Sequence, residues 1–193
     1  MQPDCPLILA SGSRYRAELL ERFGLPFRAV ASDIDETPRP GESPEELVRR
    51  LAQQKAEHVA DCHPGSVVIG ADQVAVLGDE VLGKPGDRAH AIARLRAMSG
   101  RGVDFLSGIA LVHAGGRQVD IVPTRATFRE LGDTEIERYV DRDRPFDCAG
   151  GMRSESLGIA LLESLVSNDP TALIGLPLIR IGQWLRHIGY DIP

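Results

Sequence analysis

The chain has 193 residues, 42% of them hydrophobic and 26% charged, proportions of an ordinary globular protein long enough to bury its own core as one domain or two closely packed lobes. A formal net charge of −6 excludes the global basic field that a nucleic-acid polyanion requires, although a local basic cluster can still take a small phosphate ligand. Cys5, Cys62 and Cys148 are widely spaced with no CxxC pair, which fits a reducing compartment rather than a disulfide framework. No run approaches the roughly 20 apolar residues of a bilayer span, and the opening Met1-Gln2-Pro3-Asp4-Cys5-Pro6 lacks a basic segment followed by a long apolar stretch, so a cytoplasmic protein is expected.

Leu7-Ile8-Leu9-Ala10 reads as a short apolar strand, followed by the polar turn Ser11-Gly12-Ser13 and a helix in which Leu19, Leu20 and Phe23 keep helical spacing and Gly24 closes the last turn. A second strand is expected over Arg28 to Ser32, leading into Asp33-Ile34-Asp35-Glu36-Thr37 and a Pro/Gly-rich loop. Ser43, Pro44 and Glu46 then form a capping box with proline at the first helical position, predicting a helix from about Pro44 to Asp61. At 100° per residue, Lys55 falls in the middle of the apolar arc of that helix, formed by Leu47, Val48, Leu51, Ala52 and Val59.

Ser66 to Leu77 is a buried-strand pattern interrupted by one carboxylate, Asp72, which must be paired, metal-bound or open to a functional cleft, because uncompensated burial of a charge is expensive. Gly78-Asp79 reads as a two-residue hairpin turn; with Leu77 and Glu80 flanking it, Gln73 lies opposite Lys84 and Asp72 is one step further along. A helix capped by Asp87 runs to Gly100, a long hairpin joins Val103–Val112 to Gln118–Phe128, and Asp133 is expected to cap the next helix. A strand near Ile159 to Leu162 and a C-terminal helix to about His187 complete the chain. Helices and strands alternate without strict βα repetition, and the hairpins require antiparallel pairing, so the expected fold class is α/β, a mixed twisted sheet flanked by helices.

Ser11-Gly12-Ser13 entering a helix beside Arg14 and Arg16 offers phosphate free N–H groups, hydroxyls and positive charge, or else is a plain strand-to-helix turn with hydroxyl caps. Lys55 and Lys84 are further cations that can surround a polyphosphate or simply snorkel. Asp33, Asp35, Glu36 and Asp72 can hold a hard divalent cation near substrate phosphates, with one carboxylate deprotonating water, or form an acidic loop that simply stays solvated. Among the five histidines there is no HExxH or HxH spacing, which argues against zinc.

Leu9 to Leu20, Asp35-Glu36-Thr37, Lys55-Ala56, Gly70-Ala71-Asp72-Gln73-Val74, Gly83-Lys84-Pro85 and Cys148-Ala149-Gly150 together resemble the Maf-like nucleotide pyrophosphatases, in order and over nearly the whole chain. The resemblance implies a single Maf-like domain over residues 1–193, with a Maf/ITPase-like nucleotide cleft between two lobes, commonly as a homodimer. It implies hydrolysis of a nucleoside triphosphate to the monophosphate and pyrophosphate with a divalent cation, Mg²⁺ or Mn²⁺. Carried over by position, Asp72 is the proton acceptor, Glu36 and Lys84 share the catalytic site, Ser11, Arg16 and Lys55 bind substrate, and Glu36 and Asp72 face the metal. The family's Ser-Pro-Arg-Arg opening reads here Ser13-Arg14-Tyr15-Arg16, so Arg16 matches one arginine of that pair, while Arg14 offers charge from another direction.

Tyr15, Gln73 and Glu155 stand where subfamilies differ and resemble the branch acting on 7-methyl-GTP rather than on dTTP or UTP. A methylated guanine is cationic, so an aromatic ring and a carboxylate make a sensible pocket for it. Two alternatives remain open on sequence: a haloacid-dehalogenase-type phosphatase, since Asp33 to Thr37 satisfies D-x-D-x-T, and a nucleotide-binding division regulator without turnover.

Overall fold

The computed structural model describes residues 5–193; Met1 to Asp4, the start of the segment scanned for a targeting signal, lie outside the described residues. The elements are β1 (Leu7–Ala10), α1 (Arg14–Leu20), β2 (Phe27–Ala29), α2 (Pro44–Cys62), β3 (Val67–Leu77), β4 (Glu80–Leu82), α3 (Arg88–Met98), β5 (Gly102–His113), β6 (Gly116–Phe128), α4 (Asp133–Asp143), β7 (Leu162–Ser167) and α5 (Leu178–His187), with 3₁₀ turns between several of them. They form a mixed seven-stranded sheet in the order β2-β1-β3-β5-β6-β7, with β4 paired to β3. Two compact units divide the described residues, one of residues 5–72, 107–122 and 169–193 and the other of residues 73–106 and 123–168, so β3, β5 and β6 each contribute to both.

In the first unit β1 lies parallel to β2 and to β3, with Leu7 opposite Val67 and Ala10 opposite Gly70. Period-two alternation sends successive side chains to opposite faces. Leu7, Leu9, Val67, Ile69, Ala71, Ile109 and Leu111 pack with Leu19 and Leu20 of α1 and with Leu178, Ile181 and Leu185 of α5. Ile8, Ala10, Val68 and Ala110 pack on the other face with Ala52, Ala56 and Val59 of α2. The predicted strand over Arg28 to Ser32 is shorter and begins earlier, because the β1–β2 ladder stops at Leu9 opposite Ala29.

α2 starts as its sequence dictates: Ser43 Oγ accepts from the Glu46 N–H and the Glu46 carboxylate accepts from the Ser43 N–H. Its seat on the sheet depends on two glycines. A Cβ on Gly70 of β3 would lie 2.2 Å from the Ala52 carbonyl oxygen, and one on Gly108 of β5 would lie 2.3 Å from that of Val48. Helix backbone therefore lies directly on sheet backbone at both points.

In the second unit β3 and β4 form the expected hairpin, with Leu77 opposite Glu80 and Ala75 opposite Leu82. That register would place Gln73 opposite Lys84, but the ladder ends at Leu82. Beyond it the chain is turned toward residues 146–150: the Gly83 carbonyl accepts from the Gly150 N–H and the Gly86 N–H donates to the Phe146 carbonyl. α3 begins at the Asp87 cap, whose carboxylate accepts from the His90 N–H at 2.9 Å. Asp133 does not cap α4; Gly132 holds that position and Asp133 is the first helical residue, its carboxylate pairing instead with Arg96 of α3 at 2.7 Å. The strand expected near Ile159 to Leu162 is a 3₁₀ turn over Leu157–Leu161, and β7 follows, antiparallel to β6.

Candidate active site

Asp72 is the third residue, after Val68 and Gly70, on the face of β3 that α2 covers, so pleating aims its side chain at the helix. Lys55 lies three residues after Ala52, whose carbonyl sits over Gly70. The close approach at that glycine brings the lysine down to the carboxylate: Lys55 Nζ donates to Asp72 Oδ1 at 2.6 Å, with the two side chains 7% and 10% exposed. A second carboxylate reaches the same ammonium from the loop before α2, Glu36 Oε1 lying 2.8 Å from Nζ. Glu36 is 54% exposed, so the cluster is buried on the helix side and open on the loop side. Placement of Lys55 in the middle of the apolar arc thus marks an inward ion pair, not a snorkelling side chain.

Arg16 of α1 supplies the second cation. Its Nη1 donates to Ser11 Oγ at 3.3 Å and its Nε to the Gly175 carbonyl at 3.0 Å, while Ser11 Oγ also accepts from the Ser13 N–H at 3.2 Å. Burial pushes the Arg16 guanidinium below its ordinary value, and the negative charges of Asp72 and Glu36 oppose that shift. It stays protonated throughout the physiological range, being an arginine. The Gly175 carbonyl is presented by a turn in which Gly175 has φ 114°, a left-handed conformation that favours glycine. That turn is tied down by Asp169, 2% exposed, which accepts from the N–H groups of Thr171 and Ile179. Asp169-Pro170-Thr171 carries a turn signal in its Asp-Pro step, but nothing local ties that turn to Arg16.

The first unit therefore brings together Ser11, Arg16, Glu36, Lys55 and Asp72, two cations and two carboxylates beside a serine hydroxyl. Tyr15 is in the same unit; the Arg14 guanidinium carbon lies 4.7 Å from its ring centroid and Arg14 Nη2 donates to its hydroxyl at 2.9 Å. Asp33 is exposed and Asp35 accepts from the Thr37 N–H at 2.9 Å, closing a local turn. The D-x-D-x-T segment thus follows an edge strand and begins four residues beyond it, not at the end of a central strand.

Three sequence-selected residues belong to the second unit. Gln73 continues β3 and Lys84 is exposed in the segment after β4. Glu155 follows Arg153, whose guanidinium lies 3.7 to 4.0 Å from Asp143, Asp147 and Glu155. Burial raises the Glu155 carboxyl above the usual carboxylate range, with Arg153 opposing. Asp143 accepts from Ser156 Oγ at 2.6 Å, and the Tyr139 hydroxyl accepts from the Arg153 N–H at 2.9 Å. Burial and Asp147 push the Cys148 thiol up to about 11, so it is protonated and unreactive at neutral pH.

A family model described as Maf-like protein matches residues 6–188. The chain belongs to that family. A protein of Ralstonia nicotianae named 7-methyl-GTP pyrophosphatase is 54% identical over 97% of each chain. Another of that name, from Pseudomonas aeruginosa, is 50% identical over 97% of this chain and 98% of its own. Among solved structures, the Staphylococcus aureus Ham1 protein aligns at TM-score 0.49 and 15% identity, over 79% of this chain and 89% of that one.

Among the described residues no group of three or more His, Cys, Asp and Glu side chains is placed to hold a metal ion, so an all-protein cage is not built here. Glu36 and Asp72 each turn one oxygen to the Lys55 ammonium, at 2.8 and 2.6 Å, so their other oxygens are the hard donors left for a cation. That donor set suits a cation of the Mg²⁺ kind, which keeps several waters and completes its shell with substrate phosphates. No helix among the described residues is long and apolar enough to cross a membrane.

Proposed function

We propose that this Maf-like protein is a nucleoside triphosphate pyrophosphatase that hydrolyses 7-methyl-GTP to 7-methyl-GMP and pyrophosphate. The observation that carries the chemistry is the buried Lys55–Asp72 pair with Glu36 at its open side and Arg16 and Ser11 beside it. The substrate is supported by full-length relatives named for it at 50 to 54% identity.

Lys55 holds Oδ1 of Asp72, which leaves the second carboxylate oxygen to take a proton from water. The water oxygen bonds to the α-phosphorus, the bond to the oxygen bridging the α- and β-phosphorus breaks, and pyrophosphate leaves. Arg16 and the Ser11 hydroxyl bind phosphate oxygens, the guanidinium being steered by the Gly175 carbonyl on its other edge. Glu36 and Asp72 would hold the divalent cation, Mg²⁺ or Mn²⁺, which when bound neutralises phosphate charge and lowers the pKa of water. Lys84 contributes a further phosphate contact in this reading, and Tyr15, Gln73 and Glu155 select the methylated base. A cytoplasmic, homodimeric enzyme made of one catalytic domain completes the reading.

The D-x-D-x-T alternative is not supported: its first aspartate stands in an exposed loop, away from a strand end. The full-length relatives are named as pyrophosphatases, which favours turnover over a regulator without it. The test is Asp72→Asn, which removes the proton acceptor but keeps the side-chain shape. We expect 7-methyl-GTP hydrolysis to fall by at least about 10²-fold, the usual size of a general-base contribution, while nucleotide binding persists. Near-normal turnover in that variant would sink the assignment.

A further inference from the structure

Glu36 reaches Lys55 from a loop, residues 30–43, that has no strand or helix of its own. A half-exposed glutamate on such a segment sweeps many rotamers and backbone states unless something fixes the loop, and ordering it has an entropic cost. The fastening is Arg50, on α2 and five residues before Lys55. Its Nε donates to Glu42 Oε1 at 2.5 Å and its Nη2 to Glu42 Oε2 at 2.7 Å, a two-pronged carboxylate contact. The same Nη2 donates to the Thr37 carbonyl at 3.1 Å, one residue after Glu36, while Nη1 donates to Gln54 of α2 at 3.0 Å. Glu42 Oε2 in turn accepts from the Arg39 N–H at 3.0 Å. One guanidinium thus holds both ends of the 37–42 turn against the helix that carries Lys55.

Exposure separates this pair from the arginine–carboxylate contacts between α3 and α4. Arg88–Asp141 and Arg96–Asp133 leave every partner more than half exposed, as surface ion pairs of small energetic value do. Arg50 and Glu42 are 12% and 8% exposed. A charged pair withdrawn from water at a loop is weak evidence for stability, since its desolvation offsets its attraction, but it does define geometry.

We propose that Arg50 and Glu42 are positioning residues for hydrolysis: they fix the 35–42 loop on α2 so that Glu36 is presented beside Lys55 and Asp72. Neither touches the reacting atoms. This rests on the reading of Glu36 as part of a pyrophosphatase site. Lysine at position 50 keeps the charge but loses the fork and cannot hold Glu42 and the Thr37 carbonyl together.

The test measures amide hydrogen exchange in residues 35–42 and steady-state hydrolysis of 7-methyl-GTP for wild type, Arg50→Lys, Glu42→Gln, Glu36→Gln and the double variant Arg50→Lys/Glu36→Gln. We expect exchange in 35–42 to accelerate in R50K and E42Q, and kcat to fall roughly 10- to 100-fold, the scale set by displacing a site group by about an ångström. In the Glu36→Gln background, R50K adds no further loss of kcat. Unchanged exchange in 35–42, or a loss that multiplies with that of Glu36→Gln, overturns the proposal. Should R50K misfold, E42Q carries the same readouts, alone and paired with Glu36→Gln. Wild-type enzyme releasing no pyrophosphate refutes the pyrophosphatase reading, and exchange still judges the clamp. An active wild type with impaired Glu36→Gln and unimpaired R50K and E42Q refutes the clamp alone.

Discussion

Lys55→Met replaces the buried ammonium with an apolar side chain of similar length and leaves Asp72 without its cation. Asp72 and Lys55 are 10% and 7% exposed and 2.6 Å apart, so the loss falls in the class of broken buried pairs, about 3 to 5 kcal/mol. Glu36 adds little to this, because a pair with one partner half exposed is worth less than about 1 kcal/mol. A tenth of the Asp72 side chain stays in contact with solvent, which places the expected loss at the lower end, about 3 kcal/mol. Urea unfolding followed through Trp184, the single tryptophan of the chain, measures it directly, with circular dichroism as the second probe. The double variant Lys55→Met/Asp72→Asn removes both charges and should be more stable than the sum of the single losses by about 2 kcal/mol, since neighbours in one ion pair are not additive. A loss below about 0.5 kcal/mol for Lys55→Met, or strict additivity in the double variant, would refute the reasoning that the pair is buried and coupled.

Gly70→Ala places a methyl group 2.2 Å from the Ala52 carbonyl oxygen, so α2 must lift from β3; we expect about 2 to 3 kcal/mol of destabilisation and a drop in kcat as Lys55 moves with the helix. Thermal melting and steady-state kinetics check both, and an unaltered kcat would detach the helix seat from the site. Arg50 holds the Glu42 carboxyl at about 2, below its ordinary 4.5, so the folded state binds fewer protons than the unfolded chain between those values. Stability from this pair is present above the unfolded pKa and is lost as pH falls from about 4.5 toward 2. Glu42→Gln should flatten the acid limb of a stability-versus-pH curve measured by urea unfolding; an unchanged limb contradicts the pairing.

Local signals were legible and long-range ones were not. Ser43, Pro44 and Glu46 announce the start of α2, and helical arithmetic puts Lys55 on its apolar arc, to point inward or to snorkel, because both depend on residues within a few turns of one another. The Gly78-Asp79 turn likewise sets the β3–β4 register without outside help. Local signals mislead where a partner from elsewhere decides. Asp133 gives up a capping role to pair with Arg96, and Leu157 to Leu161 are wound into a turn by the Arg153 carbonyl, which accepts from Gly158, and by Arg129, which donates to the Ala160 carbonyl. Lys84 lies beyond the ladder, which ends at Leu82, and the residues on either side of Lys84-Pro85 bond to Gly150 and Phe146.

In the site, Asp72 stood out as a charge in an apolar strand, and its pairing with Lys55 follows from two periodicities meeting. That Gly70 and Gly108 are the reason they meet was not readable, since a glycine that admits a helix looks the same in sequence as one that weakens a strand. The Arg50–Glu42 clamp was hidden in a charge pattern that reads as a solvated helix face. Arg16 stands beside the Ser11-Gly12-Ser13 turn as a phosphate-binding candidate, but the Gly175 carbonyl that aims it comes from the far end of the chain.

The central claim is most directly tested by offering 7-methyl-GTP, GTP, UTP and dTTP at equal concentration with Mg²⁺ or Mn²⁺ and quantifying the nucleoside monophosphate, pyrophosphate and inorganic phosphate released. The account predicts that 7-methyl-GTP is turned over fastest and that pyrophosphate appears in equal amount with 7-methyl-GMP. Dominant hydrolysis of UTP or dTTP, or release of inorganic phosphate without pyrophosphate, would contradict it.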